Sequence, residues 1–201
     1  QGLTLTGQYA FIGDVAKLED VNVYHIEGNY LLPLNGFKLG FDLVYRASDT
    51  DIADYSGSYF GGRISVKELG GFGASFAMAQ TDDSEDLIAG MGNGADNLYT
   101  GTIIRGGTNT FLRDTTSYLF EASYDFSKIG VQGLKLLGQY AYAEQDRAKD
   151  VEYTTYHIGA SYDVAALKGL SLGLQYETQN IEVGSADRDI DEVRFRANYK
   201  F

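Results

Sequence analysis

The residues best suited to chemistry stand in the last nine positions. Val193, Phe195, Ala197, Tyr199 and Phe201 alternate there with Arg194, Arg196, Asn198 and Lys200. Strict alternation is the period of a β-strand, whose successive side chains point to opposite faces. Arg194, Arg196 and Lys200 therefore share one face, in a single row. At a rise of about 3.3 Å per residue, rungs two residues apart lie about 7 Å from each other. Arginine presents a planar two-donor fork to a carboxylate, so such a row can pass an anionic group from rung to rung. The plainer reading of the same residues is a solvated face whose cations are balanced by nearby acids.

Other alternating stretches supply those acids. By the same parity Glu27, Asp42, Glu121, Asp125, Asp163 and Glu177 share a polar face with Lys38, Arg46, Arg63, Lys67, Lys135 and the three cations of the final row. These charges nearly cancel, so a strong anion preference is not expected, and the acidic loops favour weak cation preference. His25 and His157 fall on the polar face but on separate strands, which does not make a ligand pair. With no cysteine in the chain, thiolate nucleophiles, disulfides and cysteine zinc sites are excluded. There is no Gly-x-Ser-x-Gly elbow. The glycines at 90, 92 and 94 lack the Lys-Ser/Thr of a phosphate loop. The clusters Asp49, Asp51, Asp54 and Asp82, Asp83, Glu85, Asp86 offer oxygens to Ca²⁺, though without EF-hand spacing, and solvated loops explain them as well. A net charge of -12 argues against nucleic acid as a partner.

The elements that must position these groups are strands throughout. Runs of alternation recur at 3–11, 24–32, 37–46, 59–69, 72–80, 117–127, 134–144, 153–164, 170–180 and 193–201. That makes about ten strands of roughly ten residues, where a globular strand averages about five or six. Strands of about nine to eleven residues, tilted, are what a bilayer demands. Short connections at 33–36, 70–71, 127–133 and 165–169 alternate with longer acidic ones at 12–21, 48–57, 81–116, 145–152 and 181–191. No linker divides the chain, so residues 1–201 read as a single domain. Residues 1–6 already read as strand rather than as a signal peptide, an opening that fits a truncated chain.

Composition alone suggests a soluble acidic protein, because no apolar run approaches the ~18 residues of a membrane helix. The two faces argue otherwise. With the short turns on the periplasmic side, Tyr9, Phe11, Tyr24, Tyr45, Phe60, Tyr118, Tyr140, Tyr142, Tyr156 and Tyr176 fall near one rim. Tyr30, Phe37, Phe72, Tyr124, Phe126, Tyr162, Tyr199 and Phe201 fall near the other. Aromatic girdles flanking an aliphatic band are the outer face of a transmembrane barrel. The charged face is too costly for a dry core but suits a water-filled lumen. The fold class expected is therefore all-β: an antiparallel up-and-down transmembrane β-barrel.

The segments Tyr124-Asp125-Phe126-Ser127-Lys128-Ile129-Gly130-Val131-Gln132-Gly133-Leu134 and Leu167-Lys168-Gly169-Leu170-Ser171-Leu172 resemble the periplasmic hairpins of OprD-type porins. Asp189-Ile190-Asp191-Glu192-Val193-Arg194 is similar to that family's last extracellular loop entering its final strand. Gly90-Met91-Gly92-Asn93-Gly94-Ala95-Asp96-Asn97-Leu98-Tyr99-Thr100 resembles a loop of related major porins from epsilon-group proteobacteria. A terminal Phe201 on the lipid face resembles the assembly signal of bacterial outer-membrane proteins. The resemblance implies a bacterial outer-membrane location and a barrel of about eighteen strands. This chain would hold the last ten of them, although ten is even and a narrow barrel closing on itself stays open.

The resemblance also implies passive diffusion of ions and small hydrophilic solutes, often carboxylates, along an arginine ladder that Arg194, Arg196 and Lys200 would supply. On the preceding strand this chain has Gln175, Glu177 and Gln179 where relatives tend to place arginines. A loop at 81–116 narrows the channel in the resembling porins, which makes Arg105 and Arg113 constriction candidates. The alternative is a variable surface loop. Expected partners are outer-membrane lipid, lipopolysaccharide (bridged through divalent ions by the acidic loops) and, as in some relatives, two further copies in a trimer. No cofactor is expected. Two other functions stay open: a plugged structural or adhesion barrel whose loops bind a partner, and an outer-membrane barrel enzyme.

Overall fold

The structure is a computed structural model that describes residues 2–13, 20–51, 55–88, 99–104, 111–146 and 150–201. Ten strands follow one another: β1 Gly2–Ile12, β2 Val21–Leu34, β3 Phe37–Thr50, β4 Ser58–Leu69, β5 Phe72–Thr81, β6 Thr115–Asp125, β7 Leu134–Gln145, β8 Val151–Asp163, β9 Leu170–Val183 and β10 Ala186–Tyr199. They form one antiparallel sheet in chain order, β1 to β10. The expected all-β up-and-down architecture is borne out. A narrow barrel closed by these strands alone is not what forms, because β1 pairs only with β2 and β10 only with β9.

Strands run from 10 to 14 residues, longer than alternation alone marks out. The excess lies at the loop end, where polar residues continue the ladder beyond the apolar band. The clearest correction concerns 181–191, expected as a loop. There β9 runs on to Val183, β10 begins at Ala186, and Asp187 pairs with Glu182. Gly184 turns the chain with φ +60°, the left-handed conformation a tight hairpin needs at its first central position. A strand whose exposed end is acidic carries no hydrophobic alternation, so its pattern looks like a loop. At the opposite end Gly70 and Gly71 both adopt positive φ, as a two-residue type I′ hairpin requires. A 3₁₀ turn over Phe126–Ile129 is capped by Asp125 and joins β6 to β7.

The two faces separate as the alternation predicts. Leu3, Leu5, Ile26, Leu43, Ile64, Phe120, Ile158, Leu174, Val193 and Phe195 point out and are exposed, a disposition only a hydrocarbon surround stabilises. Rim aromatics pair across strands, with ring centroids 5.3 Å apart for Tyr9–Tyr24 and 5.1 Å for Tyr140–Tyr156. The inner face holds the buried polar groups His25, Asp42, Arg46, Gln139, His157 and Glu177. It also carries a small apolar patch, formed by Val44, Tyr59, Ala77, Ala79 and Leu119 of β3 to β6. Leu87, Tyr99 and Phe111 of the β5–β6 connection cover this patch. Burying each such side chain contributes about 1.5–3 kcal/mol, which draws the connection onto the inner face.

Candidate functional site

Residues 99–104 of that connection lie across the sheet's inner face as a strap. At one end the Tyr99 hydroxyl donates to Glu27 Oε1 at 2.5 Å. Asn29 Nδ2 reaches Glu27 at 2.9 Å, Asp42 at 2.9 Å and the Tyr99 hydroxyl at 3.3 Å. Arg63 Nε donates to Asp42 at 2.8 Å, and its guanidinium carbon stands 4.6 Å from the centre of the Tyr99 ring. Register brings these groups together, since Asn29 pairs with Asp42 and Asp42 with Arg63. Burial, and then the Glu27 carboxylate, push the Tyr99 phenol up, so it stays a donor.

The strap is fastened in its middle and at its far end as well. Ser117 on β6 donates to the Thr100 hydroxyl at 2.9 Å, and the Ile103 N–H donates to Gln139 Oε1 at 3.1 Å. Gln139 in turn donates to Glu121 at 2.8 Å. Glu177 on β9 is the heaviest anchor. It accepts from the Thr102 hydroxyl at 3.1 Å and the Ile104 N–H at 3.2 Å, with His157 Nδ1 3.2 Å away. Both side chains of the His157–Glu177 pair are fully buried. On β10, Arg194 reaches the Ile104 carbonyl at 3.4 Å. In a flat sheet β2 and β10 would be about 38 Å apart, eight steps of about 4.8 Å. Six residues with turns at both ends reach both, so the sheet is curled with its charged face inside.

The residues singled out from sequence meet different fates. Glu27, Asp42, Arg63, Glu121 and Glu177 converge on the strap, as described above. Arg46 is buried on β3. Lys38 pairs with Glu68 at 2.6 Å near the turns. Of the final row, Arg194 is tied to Glu192 beside it and to the strap, while Arg196 and Lys200 remain exposed. The opposing positions on β9 are Gln175 for Arg194 and Gly173 for Arg196, so no second row of arginines faces the first. Arg113 stands at the stem of the connection, its backbone N–H bound to Asp86 at 2.7 Å and its guanidinium to the Ser84 carbonyl at 3.2 Å. Arg105, Asp54 and the glycines at 90–94 lie outside the described residues.

Among the described residues, no three His, Asp or Glu side chains group as a metal site. Three of the loop acids accept from backbone: Asp82 from the Ser84 N–H, Glu85 from the Ser56 N–H and Asp86 from the Arg113 N–H. The participants that sequence reading missed are Asn29, Thr102 and Gln139, and it reads Tyr99 only as an apolar residue of the 81–116 loop. One signal pointed to them. Inward positions 44, 59, 77, 79 and 119 are apolar on an otherwise polar face, and such a patch requires a cover.

Comparison with known proteins follows this geometry. OpdL of Pseudomonas aeruginosa superposes with a TM-score of 0.75 at 20% identity, over 98% of this chain and 58% of its own. OccAB3 of Acinetobacter baumannii gives 0.79 at 16% identity, over 99% of this chain and 52% of its own. OccAB4 of Acinetobacter baumannii gives 0.74 at 23% identity, over 97% and 49% respectively. The chain thus spans roughly half the length of the structures it matches, and at these identities the likeness is one of fold. No curated protein matches the chain. The OprD-type resemblance carried by the turn segments is borne out by these neighbours. The model of the Gram-negative porin matches residues 1–201, and the chain accordingly belongs to the Gram-negative porin family, in the outer membrane of bacteria.

Proposed function

We propose that this chain supplies the wall and the constriction of a passive channel for ions and small hydrophilic solutes. The observation that carries the reading is the strap at residues 99–104, held from β2 to β10 on a charged, water-compatible face whose reverse side is apolar. A solute passing along that face meets the part-exposed Arg63 at one end of the strap and Arg194 at the other. The free edges of β1 and β10 are, in this reading, the seams along which further strands complete the barrel. Unpaired backbone in lipid is costly, and the matched structures are about twice as long. The ten strands are then the last of about eighteen. Lipopolysaccharide contacts and trimeric association belong to the same reading and rest on the resemblance alone.

The reading is non-enzymatic: Glu177, the carboxylate beside buried His157, accepts from the Thr102 hydroxyl and the Ile104 N–H and so holds the strap. A plugged structural barrel is the second reading, favoured by the fact that the strap consumes Arg194 and Glu177. Planar-bilayer recording on the native full-length protein separates the two. Stepwise currents that grow when Glu177→Gln loosens the strap support the channel. A folded, membrane-inserted protein that carries no current supports the plug and overturns it.

A further inference from the structure

At the turn end of the inner face, β2 to β6 enclose a cavity of about 580 Å³, remote from the strap. Lys38, Lys67 and Lys128 line it, with Gly73, Ser123, Glu68 and Asp125. Lys38 and Lys67 are direct partners across β3 and β4, and like charges placed opposite each other destabilise a sheet. Only one of the two is relieved locally. The register slips between Val66 and Leu69, forming a bulge in which Glu68 adopts φ +63°. Bulges re-aim side chains, and here Glu68 reaches Lys38 at 2.6 Å. A non-glycine residue in that conformation costs about 1 kcal/mol or more.

The second carboxylate of the cavity is also engaged, because Asp125 accepts the Ser127 N–H at 2.9 Å and caps the 3₁₀ turn. Lys67 and Lys128 form no ion pair with any described residue. Two further details shape the floor. A Cβ added at Gly73 would lie 2.8 Å from the Ser123 hydroxyl, which therefore leans over the glycine. A Cβ at Gly71 would lie 2.8 Å from Lys128 Cγ, so the lysine stem is packed along the turn. In a chain of net charge -12, this recess holds three cations against two acids, and its volume is that of a small-molecule pocket, about 300–1,000 Å³.

We propose that this cavity seats a free oxyanion, the carboxylate or phosphate group of a solute at the turn-end mouth of the lumen. The Lys67 and Lys128 ammoniums flank the anion and the Ser123 hydroxyl donates to it. The parity of Lys38, Lys67 and Ser123 is inward, so the seat faces enclosed water rather than lipid. Its role as a station for solutes rests on the channel reading, whereas its occupancy is measured without current, and the two therefore fail separately.

The test is the phosphorus NMR line width of inorganic phosphate added to the full chain, folded in micelles of non-ionic detergent. The wild-type protein broadens the line, and acetate reverses the broadening by competing for the same seat. Lys67→Gln and Lys128→Gln each weaken binding about tenfold, the scale of one charge-assisted hydrogen bond. Lys168→Gln, in the exposed β8–β9 turn, leaves it intact. Absence of broadening by the wild type, equal broadening by the Lys67→Gln/Lys128→Gln double variant, or no competition by acetate would each overturn the proposal. Displacement of phosphate by phosphatidylglycerol added to the micelles would assign the lysines to a lipid headgroup and overturn it as well.

Discussion

Along one curled face, charge is used in two different ways. Around the strap, Glu27, Asp42, Arg63 and Glu177 are buried or half-buried, and each is bound by two or more partners. Near the turns, Lys67, Lys135, Arg196 and Lys200 are exposed. The difference follows from what covers them. Loop-end positions lie beneath a chain segment that excludes water, so a charge there must be paired or it destabilises the fold. Turn-end positions keep their hydration and need no partner. Charges under the strap therefore hold architecture, and charges near the turns stay exposed to water.

The contrast can be broken most directly at Glu177. Glu177→Ala strands the Thr102 hydroxyl, the Ile104 N–H and His157 together, and should lower stability by about 3 kcal/mol. Urea midpoints of the folded protein in lipid, with protease cleavage of the 82–114 segment as a local readout, check this. An unchanged midpoint and an uncut segment would mean the strap is held by its apolar contacts alone.

Arg63→Ala comes next. It leaves Asp42 without its cation and removes the contact with the Tyr99 ring. The expected loss is about 2 kcal/mol, below the usual cost of breaking a buried pair because the Arg63 side chain is 29% exposed. Reversal potential in a salt gradient should move toward cations, since the acids Glu27 and Asp42 remain. Tyr99→Phe is gentler, costing about 1 kcal/mol for one donor removed from a carboxylate. It should leave the ring packed, so near-ultraviolet circular dichroism stays close to wild type while the midpoint falls.

The last two substitutions sharpen the turn-end side of the comparison. Arg196→Ala should change stability by less than about 0.5 kcal/mol, as exposed positions do, yet shift reversal potential toward cations. Arg194→Ala, one rung higher, should also loosen the strap at the Ile104 carbonyl. Equal behaviour of the two would erase the distinction between held and free rungs. The smallest effect belongs to Asp82 in the loop, whose carboxyl is held below the usual aspartate range by the hydroxyl and N–H of Ser84. A folded-state value below the unfolded one contributes stability that is present above the ordinary range and is lost as pH falls through the depressed value. Amide exchange at Ser84 should therefore quicken only at strongly acid pH.

Much of the fold was legible in the chain because alternation is a local property. Leu43 and Asp42 are neighbours, and β-geometry alone puts one outward and the other inward. The same reasoning failed at 181–191, where an acidic strand end carries no apolar beat. Membership of a porin family was legible in the turn segments, which short β-hairpins constrain to a few residue types. Of the candidate site, the polar wall was legible and its clasp was not. Tyr99 reads as one more apolar loop residue until Glu27 is beside it, 72 positions earlier in the chain.

By itself the amino-acid order determined the period and the two-faced character of the strands wherever apolar residues alternate, because the backbone converts parity into direction without reference to distant residues. Tertiary structure alone decided which charges are spent and which are free. Arg194 and Arg196 are equivalent in the alternation, but one is bound by the strap and the other meets water. Whether a guanidinium is neutralised depends on what lies within a few ångströms in space, and electrostatic interaction falls off with that distance rather than with separation along the chain.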